Sequence, residues 1–148
     1  MSLHYFAALS LFVIMLTACS GSGPATAGEP KEFDAVCEKS NDGKRVATEG
    51  YLRFPGSFTD SSSVVLRLYK DSDFRSTPIG VQTEFGTQAN QLQNVNKEFS
   101  QNDLKVHLPN GQTAGYGQKV KVSGTVYFPI VAQEFPCSLS NPLIELAK

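Results

Sequence analysis

Alternating apolar and polar residues along several short segments constrain the fold of this chain more than any other feature. In residues 119–128 (KVKVSGTVYF), one face carries Val120, Val122, Val126 and Phe128, and the other carries Lys119, Lys121, Thr125 and Tyr127. Residues 44–54, 63–69, 79–85 and 103–108 repeat the pattern, and a short final strand is expected over residues 143–146, after Pro142. A period of two residues is that of a strand with one buried face. The chain is therefore predicted to be all-β.

The first three of these segments are expected to pair as an antiparallel meander. Gly50 interrupts the first segment and indicates a bulge or bend there. Helical structure is expected only as one or two turns within residues 88–99, inside a surface segment rich in Gln and Asn.

Five or six strands, with a bend glycine in the first and the string GQKVKVSGTV (residues 117–126) in the penultimate, resemble the oligonucleotide/oligosaccharide-binding (OB) fold. The resemblance covers residues 36–146 and implies a small antiparallel barrel of five to six strands. An immunoglobulin-like β-sandwich is the alternative, because it also needs short alternating strands. The chain has no Trp, so the Cys-Trp-Cys core pattern of that sandwich is absent.

The OB resemblance also implies a ligand surface, namely the outer face of the second and third strands with two flanking loops. Carried over to this sequence, the strand face holds Arg67, Tyr69, Gln82 and Glu84, and the loops hold Phe58 and Phe135. Loop aromatics beside a cationic strand residue stack on bases or sugar rings. The alternative interpretation is structural: Phe58 and Phe135 plug the open barrel ends, and Arg67 and Tyr69 are ordinary exposed strand residues.

The amino terminus carries a different signal, Leu16-Thr17-Ala18-Cys19 after the apolar residues 6–16. This string resembles the lipobox of bacterial lipoproteins. The resemblance implies cleavage before Cys19, a diacylglycerol on its thiol and acylation, for example with palmitate, of the new amino terminus. Eleven apolar residues suit a signal peptide and fall short of the ~20 needed to span a bilayer. An ordinary cleaved signal and a retained membrane helix are the alternatives.

The expected organisation is a signal peptide over residues 1–18, a lipidated cysteine and flexible tether over residues 19–32, and a β-barrel domain over residues 33–148. Small polar residues with Pro24 and Pro30 give the tether its linker composition. The predicted location is the cell envelope, held by the lipid anchor. In a cell with two membranes, Ser20 is compatible with sorting to the outer membrane, facing the periplasm.

The chain has three cysteines, and lipidation of Cys19 would leave Cys37 and Cys137. Both lie in the exported part of the chain, where disulfides persist, and we predict that they pair. The alternative is two buried thiols that do not meet. A metal site is not predicted, because His107 is the only histidine outside the signal and there is no Cys-x-x-Cys.

Charge and motifs exclude several functions. With 13 basic and 14 acidic residues the net charge is −1, which does not favour nucleic-acid binding. No dinucleotide or phosphate motif is present, and Asp71 and Asp73 fit a turn better than a Ca²⁺ loop. A positioned base for nucleophilic catalysis is poorly supplied, because His107 lies in a predicted strand and is more often a surface residue there. The predicted function is a non-enzymatic, cofactor-free binding module for an unknown small ligand or envelope protein. The alternatives are a scaffold subunit of an envelope complex and a carboxylate-dependent hydrolase.

Overall fold

The structure of the protein, a computed structural model, describes residues 24–130 and 134–148. Its strands are β1 (Glu29–Pro30), β2 (Arg45–Arg53), β3 (Ser63–Tyr69), β4 (Ile79–Glu84), β5 (Lys105–His107), β6 (Thr113–Gly115), β7 (Lys119–Tyr127) and β8 (Ser138–Leu146). Short 3-10 helices lie at Phe33–Ala35, Lys39–Asn41 and Gln101–Asp103. No helix in these two ranges is long and apolar enough to cross a membrane.

Five of the strands close into a small barrel. Around the barrel the order is β2, β3, β4, β8 and β7, and β7 returns to β2. All of these pairings are antiparallel except that of β4 with β8, which is parallel. The predicted all-β, OB-like barrel is confirmed. The strands of the described residues do not pack as the two facing sheets of an immunoglobulin-like sandwich.

Strand β2 closes the barrel because it pairs with two neighbours in succession. Residues 45–51 pair with β7, and residues 51–53 pair with β3. Gly50 lies where the partner changes, and a Cβ atom at this position would collide with the carbonyl oxygen of Tyr69. The glycine singled out in the sequence thus permits a close approach of β3.

The barrel core is built from the inward-facing residues of the alternating segments. Side chains no more than 1% exposed include Leu52, Leu66, Leu68, Val120, Val122 and Val126. Burying an aliphatic side chain of this size contributes about 1.5–3 kcal/mol to folding. These residues all lie on the faces that the two-residue period assigns to the interior.

The segment between β4 and β7 differs from the prediction. Residues 88–99 contain no helical turn, and the nearest 3-10 helix, Gln101–Asp103, follows them. Leu92 instead bridges Phe85 and Val106, its backbone N–H donates to the carbonyl of Glu84 at 2.8 Å, and its side chain is fully buried. Extended backbone is favoured here because it satisfies this hydrogen bond and places Leu92 in the core. The segment then continues into the β5–β6 hairpin.

The last strand is also longer than predicted, since it begins at Ser138 rather than after Pro142. Ser123 of β7 is opposite Leu143, and Thr125 is opposite Ser140, so β8 holds one extra residue at this point. Proline lacks an N–H donor and is tolerated in a strand at such a bulge. Pro142 therefore lies within β8 instead of preceding it.

A disulfide joins Cys37 to Cys137, as predicted, with their Cα atoms 5.4 Å apart. Cys37 follows the first 3-10 helix, and Cys137 immediately precedes β8. The bond therefore staples the start of the domain to its last strand across 100 residues of sequence.

The residues just before the predicted domain lie along β2. β1 pairs in parallel with Val46 and Ala47, and the Arg45 side chain donates through Nε to the carbonyl of Thr26 at 2.6 Å. Packing against the barrel thus begins several residues before position 33, because β2 offers free backbone groups to this segment. Cys19 and the predicted signal peptide lie outside the described residues.

Candidate functional site

An open groove of about 570 Å³ lies on the outer face of β3 and β4. The β2–β3 loop borders one side, and the end of the β7–β8 loop borders another. Its lining includes Phe58, Asp60, Ser63, Arg67, Gln82, Glu134 and Phe135. Strand alternation places Ser63 and Arg67 here, because Val64, Leu66 and Leu68 point into the core.

Arg67 and Gln82 supply the polar groups on the strands. The Arg67 side chain is 21% exposed and forms an ion pair with Glu134, whose side chain is 67% exposed. Gln82 is exposed on β4, directly opposite Val65 of β3. The groove floor thus presents a sheltered guanidinium and an accessible amide.

Phe58 borders the groove from the β2–β3 loop and also serves the structural role that the sequence left open. It is half-buried, with ring centroids 4.8 Å from Phe99, 5.5 Å from Phe85 and 6.0 Å from Phe54. Aromatic rings at such distances stabilise each other. Phe58 therefore closes this part of the barrel while contributing to the groove wall.

Phe135 is 8% exposed and packs over Gly80 of β4. A Cβ atom at position 80 would lie 2.7 Å from the Phe135 ring. The backbone N–H of Gly80 also donates to the carbonyl of Cys137, two residues after Phe135, at 3.1 Å. Phe135 is thus held in a slot that the glycine leaves open.

Tyr69, predicted to lie on the ligand surface, does not line the groove. It is 8% exposed and is absent from the groove, because Phe74 of the β3–β4 hairpin packs edge-on against its ring at 5.4 Å. Phe74 has a positive φ of 57°, which folds the hairpin back over the strand end. Alternation along β3 does not predict that Phe74 covers the Tyr69 ring.

Glu84 lies in an adjoining polar groove of about 950 Å³ between the end of β4, residues 88–91 and residues 140–142. Ser63 and Gln82 line both grooves. The predicted face is therefore divided into two connected parts, with Arg67 in one and Glu84 in the other.

Asp60 and Glu134 are groove residues that the sequence interpretation missed. Asp60 accepts hydrogen bonds from the backbone N–H of Ser62 and from the hydroxyls of Ser62 and Ser63, at 2.7–3.0 Å. These bonds, the backbone one first, hold the pKa of Asp60 below its ordinary value. An Asp before a run of Ser is a recognisable turn signal. Glu134 has no comparable local signal, since its partner is 67 residues away.

The remaining candidates take structural positions. Asp71 accepts a backbone hydrogen bond from Phe74 in the β3–β4 turn, and His107 pairs with Thr113 in the β5–β6 hairpin. Within the described ranges, no three His, Cys, Asp or Glu residues are grouped so that they could hold a metal ion. No protein-family model matches the sequence, and no curated protein matches it.

Proposed function

We propose that this protein is a lipid-anchored binding module of the cell envelope that holds a polar ligand in the groove on β3 and β4. One observation carries the proposal. OB-like barrels bind ligands on one strand face and two flanking loops. Here the corresponding segments, the outer face of β3 and β4, the β2–β3 loop and the end of the β7–β8 loop, meet around this groove. They bring the Arg67 guanidinium, the Gln82 amide and the Phe58 ring to one surface. Convergent polar groups beside an aromatic wall are typical of sites that orient a small ligand.

The charge of the groove narrows the ligand class. Among the described lining residues, Asp60 and Glu134 oppose the one cation, Arg67, so this part of the lining carries no excess of positive charge. Binding to a nucleic-acid backbone depends on several unpaired cations. The proposed ligand is therefore a short saccharide, a peptide or a small polar solute.

The proposal assigns binding rather than catalysis to the groove. Its described lining contains neither His nor Cys. Its two carboxylates are engaged, Asp60 by serine donors and Glu134 by Arg67. General acid–base catalysis most often uses histidine, which these described residues do not include.

The envelope location is part of the same proposal. The lipobox at residues 16–19 supports anchoring at Cys19, and the Cys37–Cys137 disulfide supports an oxidising compartment. Ser20 supports the outer membrane, facing the periplasm, in a cell that has two membranes.

Membrane fractionation tests the anchor. We expect the wild type in the membrane fraction and the Cys19→Ser variant in the aqueous one, because the variant has no thiol to acylate. Ser20→Ala, which keeps the thiol, is the control and stays with the membrane. A Cys19→Ser protein that still partitions with membranes contradicts the anchor.

Isothermal titration of the full chain in mild detergent, against oligosaccharides and short peptides, tests the groove. For a ligand held by Arg67, Arg67→Ala weakens binding by about tenfold or more, the usual effect of losing a hydrogen bond to a charged group. Arg75→Ala is the control, since Arg75 lies on the β3–β4 hairpin with 87% of its side chain exposed. A folded protein that binds no member of the panel contradicts the proposal and favours the scaffold role.

A further inference from the structure

The ion pair between Arg67 and Glu134 is unequally sheltered. The Arg67 side chain lies at the groove floor with 21% of its surface exposed, and the Glu134 side chain stands at the rim with 67% exposed. Among the described residues, Glu134 is the one that accepts a hydrogen bond from the Arg67 guanidinium. A partly desolvated guanidinium needs an acceptor, whereas an exposed carboxylate is readily solvated by water.

The backbone beside Glu134 is fixed on its carboxyl-terminal side. Phe135 is held in the slot above Gly80, and Cys137 is held by the disulfide and by the hydrogen bond from Gly80. Rotation of the Glu134 side chain alone is therefore enough to uncover Arg67. The freed Glu134 carboxylate is solvated by water and an incoming acceptor replaces it on Arg67, so the exchange leaves neither charge without a partner.

We infer that the ligand of this groove carries a carboxylate, and that this group takes the place of the Glu134 carboxylate on Arg67. The inference rests on the proposed function, which it makes chemically specific. An Arg side chain can bind a carboxylate through two parallel hydrogen bonds. In the structure, one oxygen of the Glu134 carboxylate accepts a hydrogen bond from the Arg67 guanidinium. Gln82 remains as a donor to the rest of the ligand. The Ser63 hydroxyl gives its proton to Asp60 and serves the ligand as an acceptor.

The other groove carboxylate disfavours a doubly charged group at Arg67. Asp60 lies in the same lining, and its serine hydrogen bonds hold it in the ionised form by lowering its pKa. A phosphate dianion meets more repulsion from Asp60 than a carboxylate does. Acidic sugars and free peptide carboxyl termini share the required chemistry.

Matched acid and neutral probes test the inference by isothermal titration of the full chain in mild detergent. The probes are tetragalacturonate with its methyl ester, and acetyl-trialanine with its amide. We expect each bound acid to bind at least about tenfold more tightly than its neutral form, as expected for a charge-assisted hydrogen bond. Binding of only the sugar acid identifies a saccharide ligand, and binding of only the peptide acid identifies a peptide; either result supports the inference.

Variants separate displacement of Glu134 from a general effect of charge. Glu134→Gln strengthens acid binding by up to about fivefold, because the competing carboxylate is gone. Arg67→Gln removes the preference for the acid, and adding Glu134→Gln to Arg67→Gln has no further effect. Asp73→Asn, which removes one carboxylate on the β3–β4 hairpin, is the charge-matched control and leaves binding unchanged.

Two results overturn the inference. If the neutral probes bind as tightly as the acids and Arg67→Gln changes nothing, the ligand needs no carboxylate and the inference is refuted. The proposed binding function then still stands. If neither acid binds the wild type or the Glu134→Gln variant, the inference of a ligand carboxylate is also refuted. The titration against oligosaccharides and short peptides then tests the proposed function separately.

Discussion

Gly80 shows how one missing side chain arranges a site. A Cβ atom there would lie 2.7 Å from the Phe135 ring and would also collide with the Ser138 hydroxyl. We predict that Gly80→Ala destabilises the fold by about 1–3 kcal/mol, the usual cost of overpacking. Urea unfolding followed by circular dichroism measures the change. Gly56→Ala is the control, because the space around Gly56 is open, and equal effects of the two substitutions would contradict the packing argument.

Asp60 gives the groove loop a dependence on pH. Its serine hydrogen bonds lower its pKa in the folded protein, so their stabilising effect is complete above the ordinary value of 3.8. The effect is lost as the pH falls through the lower, folded-state pKa. We predict that a carboxyl NMR titration of Asp60 has its midpoint below 3.8, and that Ser62→Ala moves the midpoint upward. A midpoint at or above 3.8 in the wild type would contradict these bonds.

Single residues were predictable from the sequence when their environment is set by their own strand. Arg67 lies outward on β3 because its neighbours Leu66 and Leu68 lie inward. Tyr69 follows the same alternation, yet Phe74 covers it. That contact depends on the backbone of the hairpin, which a two-residue period does not describe.

Strand β8 depends on the conformation of one residue at its bulge. Asn141 has a φ of 47° directly before Pro142, in the left-handed region that Asn tolerates better than most side chains. We predict that Asn141→Ala destabilises the protein by about 1 kcal/mol, whereas Asn141→Gly leaves its stability nearly unchanged. Thermal unfolding by circular dichroism compares the two variants. Equal loss in both would mean that the Asn side chain, not the backbone, is what matters.

Elements were predictable where burial and pairing follow a regular period. Strand β3 has the predicted bounds, β7 ends one residue earlier than predicted, and β2 is one residue shorter at each end. Residues 88–99 lack such a period, and their path is set by contacts of Leu92 with Phe85 and Val106. Pro142 misled the prediction for a related reason, since a proline inside a bulge looks in sequence like the start of a new segment.

The whole barrel depends on the disulfide between its two ends. For a closed loop of about 100 residues, the chain-entropy model and measured native disulfides together indicate about 2–5 kcal/mol of stabilisation. We predict this loss in free energy of unfolding for the Cys37→Ala/Cys137→Ala double variant, measured by urea denaturation. Cys19→Ser is the matched cysteine control and unfolds like the wild type. An unchanged midpoint in the double variant would refute the stabilising role.

For the molecule as a whole, the sequence indicated the fold class and the Cys37–Cys137 disulfide, but not the complete groove. Alternation, the bend at Gly50 and the cysteine count pointed to a closed, disulfide-bonded barrel. The groove also requires Glu134 to meet Arg67, 67 residues away. Such a meeting follows from the barrel's closure and leaves no mark in either local segment.

The closure of β2 onto β7 has a consequence for how the protein is made. Arg45 pairs with Thr125, so most of the first long strand, residues 45–50, lacks its β7 partner until the last third of the chain is being synthesised. Contacts this distant in sequence form slowly. A newly made chain therefore lacks its closed barrel through most of its synthesis. The barrel and its disulfide would then be completed only beyond the membrane that the proposed signal peptide directs the chain to cross.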